Sequence, residues 1–463
     1  MNTGVELLSG TGGVPLKAFF CLALSIGSLV LLQFFQNRPW ELKVLRLAVV
    51  LGIAGKFLVT FLLYAVCRPV DLHSDAALYY LPQTLHLLDG AVPNRDFASS
   101  YSFLFLPLLS PAVSLWHSAG SIALTLLIME TFMLALYVRT RDTDRRLYRW
   151  RAALLYTLSP ISFYWTAIAG HNGVIIAFFT MVALVLANRR RTVAAGFAAA
   201  FALLCSKLLA VLSWPAVIFL HVRGWRKAAL VPLAAVALTA LLPLFGIDVF
   251  RPLEKEFGSS TTGTIWFLAS EIFPGFRGTW VWQYLPLLLF ASLFLMFFLR
   301  YLGSNTSRDN SLRFDAAAAM IAATNLLFMA LSRKSYVFYA TMFLIFLIHS
   351  LVGRGAYKVR ELLPLAFLGA TTALAGLLWP GILATDYHLT DPLVLLLLIL
   401  DGSILACYFY YAALCWRLLK PNARSGPALM KRLSNIRMTR NAIATMRKGS
   451  CNIRYRGRTK NTM

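Results

Sequence analysis

The chain has 463 residues, of which 59% are apolar or aromatic and only 14% charged, against roughly a quarter charged in an ordinary soluble domain. Apolar runs near the ~20 residues that cross a bilayer recur from end to end, which excludes a soluble globular enzyme and leaves an all-α, polytopic membrane protein. The net charge of +25 does not point to nucleic acid: the last 48 residues, Trp416 to Met463, hold 13 Lys and Arg and no Asp or Glu, and basic loops beside spans are what membrane orientation requires.

Only Glu6 and Lys17 are charged before the first apolar run, too little for a basic leader, so the N-terminus reads as a retained span rather than a cleaved signal peptide. Thirteen spans are predicted, at 15–35, 45–66, 119–138, 152–169, 173–188, 192–206, 208–222, 228–247, 280–299, 316–332, 336–352, 362–380 and 393–415. Residues 1–415 then form the membrane domain, with outer loops at 68–118, 248–279 and 381–392, and 416–463 is a disordered basic tail. Loops on the tail side carry 33 Lys and Arg against 6 Asp and Glu, whereas the opposite face carries 8 against 11, so the tail is placed in the cytoplasm. The apolar stretch from Phe103 to Trp116 is broken by Pro107 and Pro111. Its helix would reach only roughly 21 Å, short of the ~30 Å hydrocarbon core, so an interfacial or re-entrant segment is expected. Within the spans, Lys56, Glu130 and Asp401 need partners or a water-filled cavity, and Lys56 and Glu130 can pair with each other. The six cysteines lack metal-ligand spacing and read as buried thiols.

The loop after the second span, RPVDLHSDAALYYLPQTLHLLDGAVPNRDFASSYSFLFLP, concentrates Asp71, Asp75, Asp89 and Asp96 with Tyr79, Tyr80 and Tyr101. Asp71 and Asp75 are four apart and would share one helix face. A carboxylate at the rim of a membrane domain can act as a general base if a neighbour holds it in place, and the plainer alternative is a solvated polar loop. The order Asp, Tyr, helix ending in Asp-Gly, Val-Pro-x-Arg-Asp-Phe and Tyr before a Pro-interrupted apolar segment resembles the first outer loop of GT-C superfamily glycosyltransferases. A second stretch, LSPISFYWTAIAGHNGVIIAFFTMVALVLANRRRTVAAGFAAAFALLCSKLLAVLSWP, is similar to that superfamily's run of Pro-Ile, Gly-His-Asn, Ala-Gly and Lys. The likeness is greatest to the polyprenyl-phosphate-mannose-dependent mannosyltransferases and covers about residues 45–220. Two departures stand out: Gly173 occupies the acidic position after Gly-His-Asn, and the aspartates are spaced as Asp71-x-x-x-Asp75.

The resemblance implies Asp75 as the catalytic base, with Asp71 the other candidate, and substrate-binding roles for Tyr79, Arg95, Asp96, His171 and Asn172. It further implies that Lys207 meets the donor phosphate, although a lysine at a helix end can also simply snorkel. Arg333 and Lys334 run against the positive-inside trend and are added as phosphate candidates, as is Arg277 in the Ser/Thr/Gly-rich loop. His171 and Asn172 at a helix end can equally do no more than satisfy backbone groups.

The expected activity is inverting transfer of a sugar, mannose foremost, from a polyprenyl-phosphate carrier to a lipid-linked or glycan acceptor. The expected setting is a bacterial inner membrane with the site facing the periplasm, or the endoplasmic reticulum membrane with the site facing the lumen. The partners implied are donor, acceptor and membrane lipids, with no nucleic acid; no cofactor is required, and a divalent metal is possible. A transporter or flippase of lipid-linked sugars is the alternative, predicting ionisable residues at mid-membrane. A non-catalytic glycolipid-binding subunit is a third reading, in which the outer carboxylates are dispensable.

Overall fold

A computed structural model describes residues 21–28, 30, 33, 42–65, 74–140, 145–221, 224–248, 264–273, 275, 279–304, 310–353, 359–371 and 392–419. Among the described residues helices make up 84% of the backbone, and no strand occurs. The main helices are α1 (Leu42–Ala65), α2 (Ala119–Val138), α3 (Gly173–Asn188), α4 (Thr192–Leu204), α5 (Trp225–Leu241), α6 (Trp280–Ser304), α7 (Asn310–Leu331) and α8 (Pro392–Leu418). Six of them, α1, α2, α5, α6, α7 and α8, are long and apolar enough to cross a membrane. The predicted span 152–169 is divided between a helix Arg146–Leu158 and a short segment Pro160–Ile168, which meets Gly173–Asn188 at a bend of 113°, and 192–206, 208–222 and 336–352 form shorter helices. About half of the first predicted span and the second half of 362–380 lie outside the described residues, as do most of the loops 248–279 and 381–392 and the tail beyond residue 419.

The packing follows side-chain size. Helix α7 carries the run Ala316–Ala319 with Ala322 and Ala323, and it is buried along almost its whole length against α6 and α8. Small side chains let helix backbones approach closely where lipid offers no hydrophobic drive for association. Helices α5 and α6 lie at the periphery and expose Leu230, Leu233, Leu238, Leu287 and Leu288, an apolar surface of the extent that marks membrane contact. The segment after Phe103 forms a helix of only 11 residues, Phe105–Leu115, as its length and prolines predict.

Two sets of buried polar groups close on one another. Lys56 of α1 lies 2.6 Å from Glu130 of α2 and 2.5 Å from Ser162, all three buried, which is the pairing expected from sequence. Toward the opposite ends of the helices from Asp75, Tyr137 of α2 bonds His349 Nδ1 at 2.9 Å. The His349 Nε2 atom lies 3.0 Å from Asp315 of α7, whose other oxygen accepts from Arg145 at 2.6 Å. Cys21, Cys205 and Cys415 are buried free thiols and Cys407 is partly buried, whereas Cys67 and Cys451 lie outside the described residues.

Candidate active site

Asp75 opens a π-helical turn, Ala76–Tyr80, which runs into the helix Leu81–Leu88. A second π-helical turn, Phe163–Ile168, leads to the tight bend that carries His171. In both, the i→i+5 pattern widens the helix and re-aims side chains, a device that recurs at functional sites. The bend is built around Gly170, whose φ of +66° favours glycine and whose Cβ would lie 2.7 Å from that of Ala76. It is tied down by Tyr64, which donates to the Ile168 carbonyl at 2.6 Å, and by Ser74, which donates to the Ala169 carbonyl. Gly173 begins α3 hard against Thr341, with 2.1 Å from a built Cβ to Oγ1. No side chain fits there, which accounts for glycine at that position.

These elements bring His171 to Asp75, with Nδ1 3.0 Å from Oδ2. A carboxylate only accepts, so Nδ1 is the donor. The imidazole is buried and stacked on Phe338, with ring centroids 4.0 Å apart and planes at 5°, and Trp165 tilts against it. Tyr80 donates to the same oxygen of Asp75 at 3.3 Å. Among the described residues none hydrogen-bonds Oδ1, and the Asp75 side chain is 20% exposed. Burial pushes the Asp75 carboxyl up, but His171, by charge and hydrogen bond, with Lys207 and Tyr80 outweighs it and holds the group below its ordinary value. Asp75 therefore stays ionised at neutral pH.

Lys207 follows α4, and backbone bonds from Ser102 to Ser206 and from Leu104 to Leu204 draw the loop before Phe105 alongside it. The Lys207 ammonium then lies between two aromatic faces, 5.0 Å from the ring of Tyr101 and 5.4 Å from that of Tyr339. All three line an open cavity together with Lys334, Asn94 and Ser100. Tyr101 also packs edge-on against Tyr80, with centroids 4.9 Å apart, so the cavity wall backs onto the carboxylate site.

The structure thus brings His171 to Asp75 and sets Lys207 and Lys334 in the neighbouring cavity, which Asp75 and His171 do not line, and it rearranges the remaining candidates. Arg333 is partly buried and does not line the cavity. Tyr79 is 52% exposed, whereas its neighbour Tyr80 is fully buried at Asp75. An α-helical spacing of four from Asp75 selects Tyr79, but the π-helical turn puts residue i+5 on that face. Arg95 and Asp96 pair with each other at 2.9 Å on the surface, and Asp96 also accepts the Val92 N–H, so they staple a turn outside the cavity. Asn172 is buried next to His171, and its side-chain nitrogen has no partner among the described residues. Asp71 and Arg277 lie outside the described residues. Among the described residues no three His, Cys, Asp or Glu side chains are grouped to hold a metal ion.

In comparisons with known proteins, no family model, no curated protein and no solved structure matches the chain.

Proposed function

We propose that the protein is an inverting glycosyltransferase that moves a sugar, mannose foremost, from a polyprenyl-phosphate carrier to a hydroxyl of a glycan or glycolipid acceptor. The observation that carries this reading is the Asp75 carboxylate, ionised, with Oδ2 held by His171 and Tyr80 and Oδ1 open, beside a cavity that holds two lysines. In the reaction the acceptor oxygen attacks the anomeric carbon, its proton passes to Asp75 Oδ1, and the bond from the anomeric carbon to the phosphate oxygen breaks with inversion. The polyprenyl phosphate leaves with the extra negative charge, which Lys207 and Lys334 offset. An already anionic leaving group needs no acid, so one carboxylate suffices, unlike in most glycosidases. The resemblance of residues 45–220 to GT-C mannosyltransferases supports the same chemistry. The direct test is a transfer assay on the purified protein with a panel of polyprenyl-phosphate sugars; no transfer from any of them would sink the reading.

Two further results are expected. Lys207→Gln and Lys334→Gln should each raise the KM for donor about tenfold, the loss of one charge-assisted contact, with acceptor KM unchanged. Unaltered donor kinetics in both variants would move the phosphate site elsewhere. The reading also places the Asp75 end of the bundle in the periplasm or lumen. A cysteine introduced by Arg95→Cys should react with a membrane-impermeant maleimide in intact cells or sealed vesicles of that orientation, and Arg189→Cys, at the far end of α3, only after permeabilisation. The reverse pattern would overturn the orientation.

A further inference from the structure

Among the described residues, Tyr80 is the fully buried tyrosine that hydrogen-bonds Asp75. The ring is fixed edge-on by Tyr101 and Phe105, each with its centroid 4.9 Å away. The Tyr101 phenol and the Asn172 backbone lie near enough to its oxygen to act on it electrostatically. Between phenol and carboxylate only the phenol has a proton to give, so Tyr80 is the donor to Asp75 Oδ2 at 3.3 Å. His171 reaches the same oxygen from a different element, the bend before α3.

Two donors converging on one oxygen from separate directions do what a single donor cannot. One hydrogen bond leaves a carboxylate free to swing about its last side-chain torsion, a broad and soft one. A second donor removes that freedom and leaves the other oxygen pointing in one direction. We propose that Tyr80 is a positioning residue for Asp75: its phenol pins the oxygen that His171 also holds, and so keeps Oδ1 aimed at the acceptor hydroxyl. The inference rests on the reading of Asp75 as the base, but its anchoring contact can be measured without any transfer reaction. Among the described residues, the charged and titratable groups facing Asp75 are His171 from the bend, Lys207 from the junction after α4 and Tyr80 from its own turn, with Tyr101 behind Tyr80.

The test uses the full-length protein in lipid nanodiscs and the variant Tyr80→Phe, which keeps the ring contacts and deletes only the hydroxyl. A water-soluble carbodiimide modifies protonated carboxyl groups, so mass spectrometry of Asp75 labelling against pH reads its ionisation directly, with exposed Asp96 as internal control. Removing a donor to the charged form disfavours ionisation, so the Asp75 midpoint should rise by about half a unit to one unit while that of Asp96 stays put. In the transfer assay, kcat should fall about tenfold with donor KM within about twofold of wild type, and the acid limb should move up with the labelling midpoint. A merely structural role would lower the active fraction and move neither midpoint. If the phenylalanine variant is not recovered folded, Tyr80→Met, an adaptable side chain without a donor, carries the same expectation. An unmoved Asp75 midpoint overturns the proposal, even where Asp75→Asn abolishes transfer and the functional reading stands. A raised midpoint in a protein that transfers no sugar upholds the anchor and overturns the functional reading instead.

Discussion

Asp75→Asn is expected to lower sugar transfer by about 10²–10⁴-fold, the range for a lost general base, while donor binding and folding are retained. Asparagine has the same shape, and its oxygen can accept from both His171 and Tyr80 as Oδ2 does now. Its amide group would then occupy the position of Oδ1, where it can donate to the acceptor oxygen but take no proton from it. Removing the charge beside Lys207 does not weaken that cation's attraction for a phosphate, so donor affinity should hold or rise. Transfer kinetics and calorimetric donor binding at matched protein concentration are the measurements, with Asp71→Asn run alongside as the milder variant. Near-normal turnover in Asp75→Asn removes the assignment, and a severe loss in Asp71→Asn alone hands the base role to Asp71. The pH dependence has a definite sign. The base must be ionised, and its neighbours hold it below the usual carboxylate value near 3.8, so wild type should show no limb from Asp75 between about pH 5 and 8. His171→Asn removes the strongest of the influences that oppose burial, and the acid limb should then move upward, with rate lost as pH falls through the raised value.

Lys56→Met is expected to be the most destabilising single change in the membrane interior, at about 3–5 kcal/mol. Lys56 and Glu130 lie 2.6 Å apart at 1% and 2% exposure, with Ser162 bonded to both. Methionine fills the volume of the lysine stem but leaves the Glu130 carboxylate with a single hydroxyl partner and no countercharge. The double variant Lys56→Met/Glu130→Leu removes both charges and should recover most of that loss, because apolar pairs often replace a buried ion pair at no cost. Thermal unfolding in one detergent, followed by a thiol-reactive dye on the buried cysteines, compares the three proteins. A double variant no more stable than Lys56→Met would mean that these residues do more than neutralise each other, as a transport mechanism would require.

Much of this was legible in the sequence, since composition and local geometry act on each segment independently of the rest. Low charge and recurrent apolar runs determined an all-helical membrane chain, and two prolines in an apolar stretch determined the short helix Phe105–Leu115. Of the ionisable residues within predicted spans, Lys56 and Glu130 could pair with each other, and they do. The same holds for Asp75, His171, Lys207 and Lys334 as residue types worth singling out. What only the tertiary structure decided was which neighbours share a face and which elements meet. The π-helical turn exchanged Tyr79 for Tyr80 at the carboxylate, a choice between adjacent residues that helical periodicity makes wrongly once the turn widens. The bend at Gly170, 113° between Pro160–Ile168 and Gly173–Asn188, delivered His171 to a carboxylate 96 positions away. Arg95 and Asp96 satisfied each other on the surface, and Tyr339 and Phe338 came from the far part of the chain to frame Lys207 and His171. Contacts of that separation depend on how whole helices pack, and a pattern read along one segment carries no record of the partner that packing will bring to it.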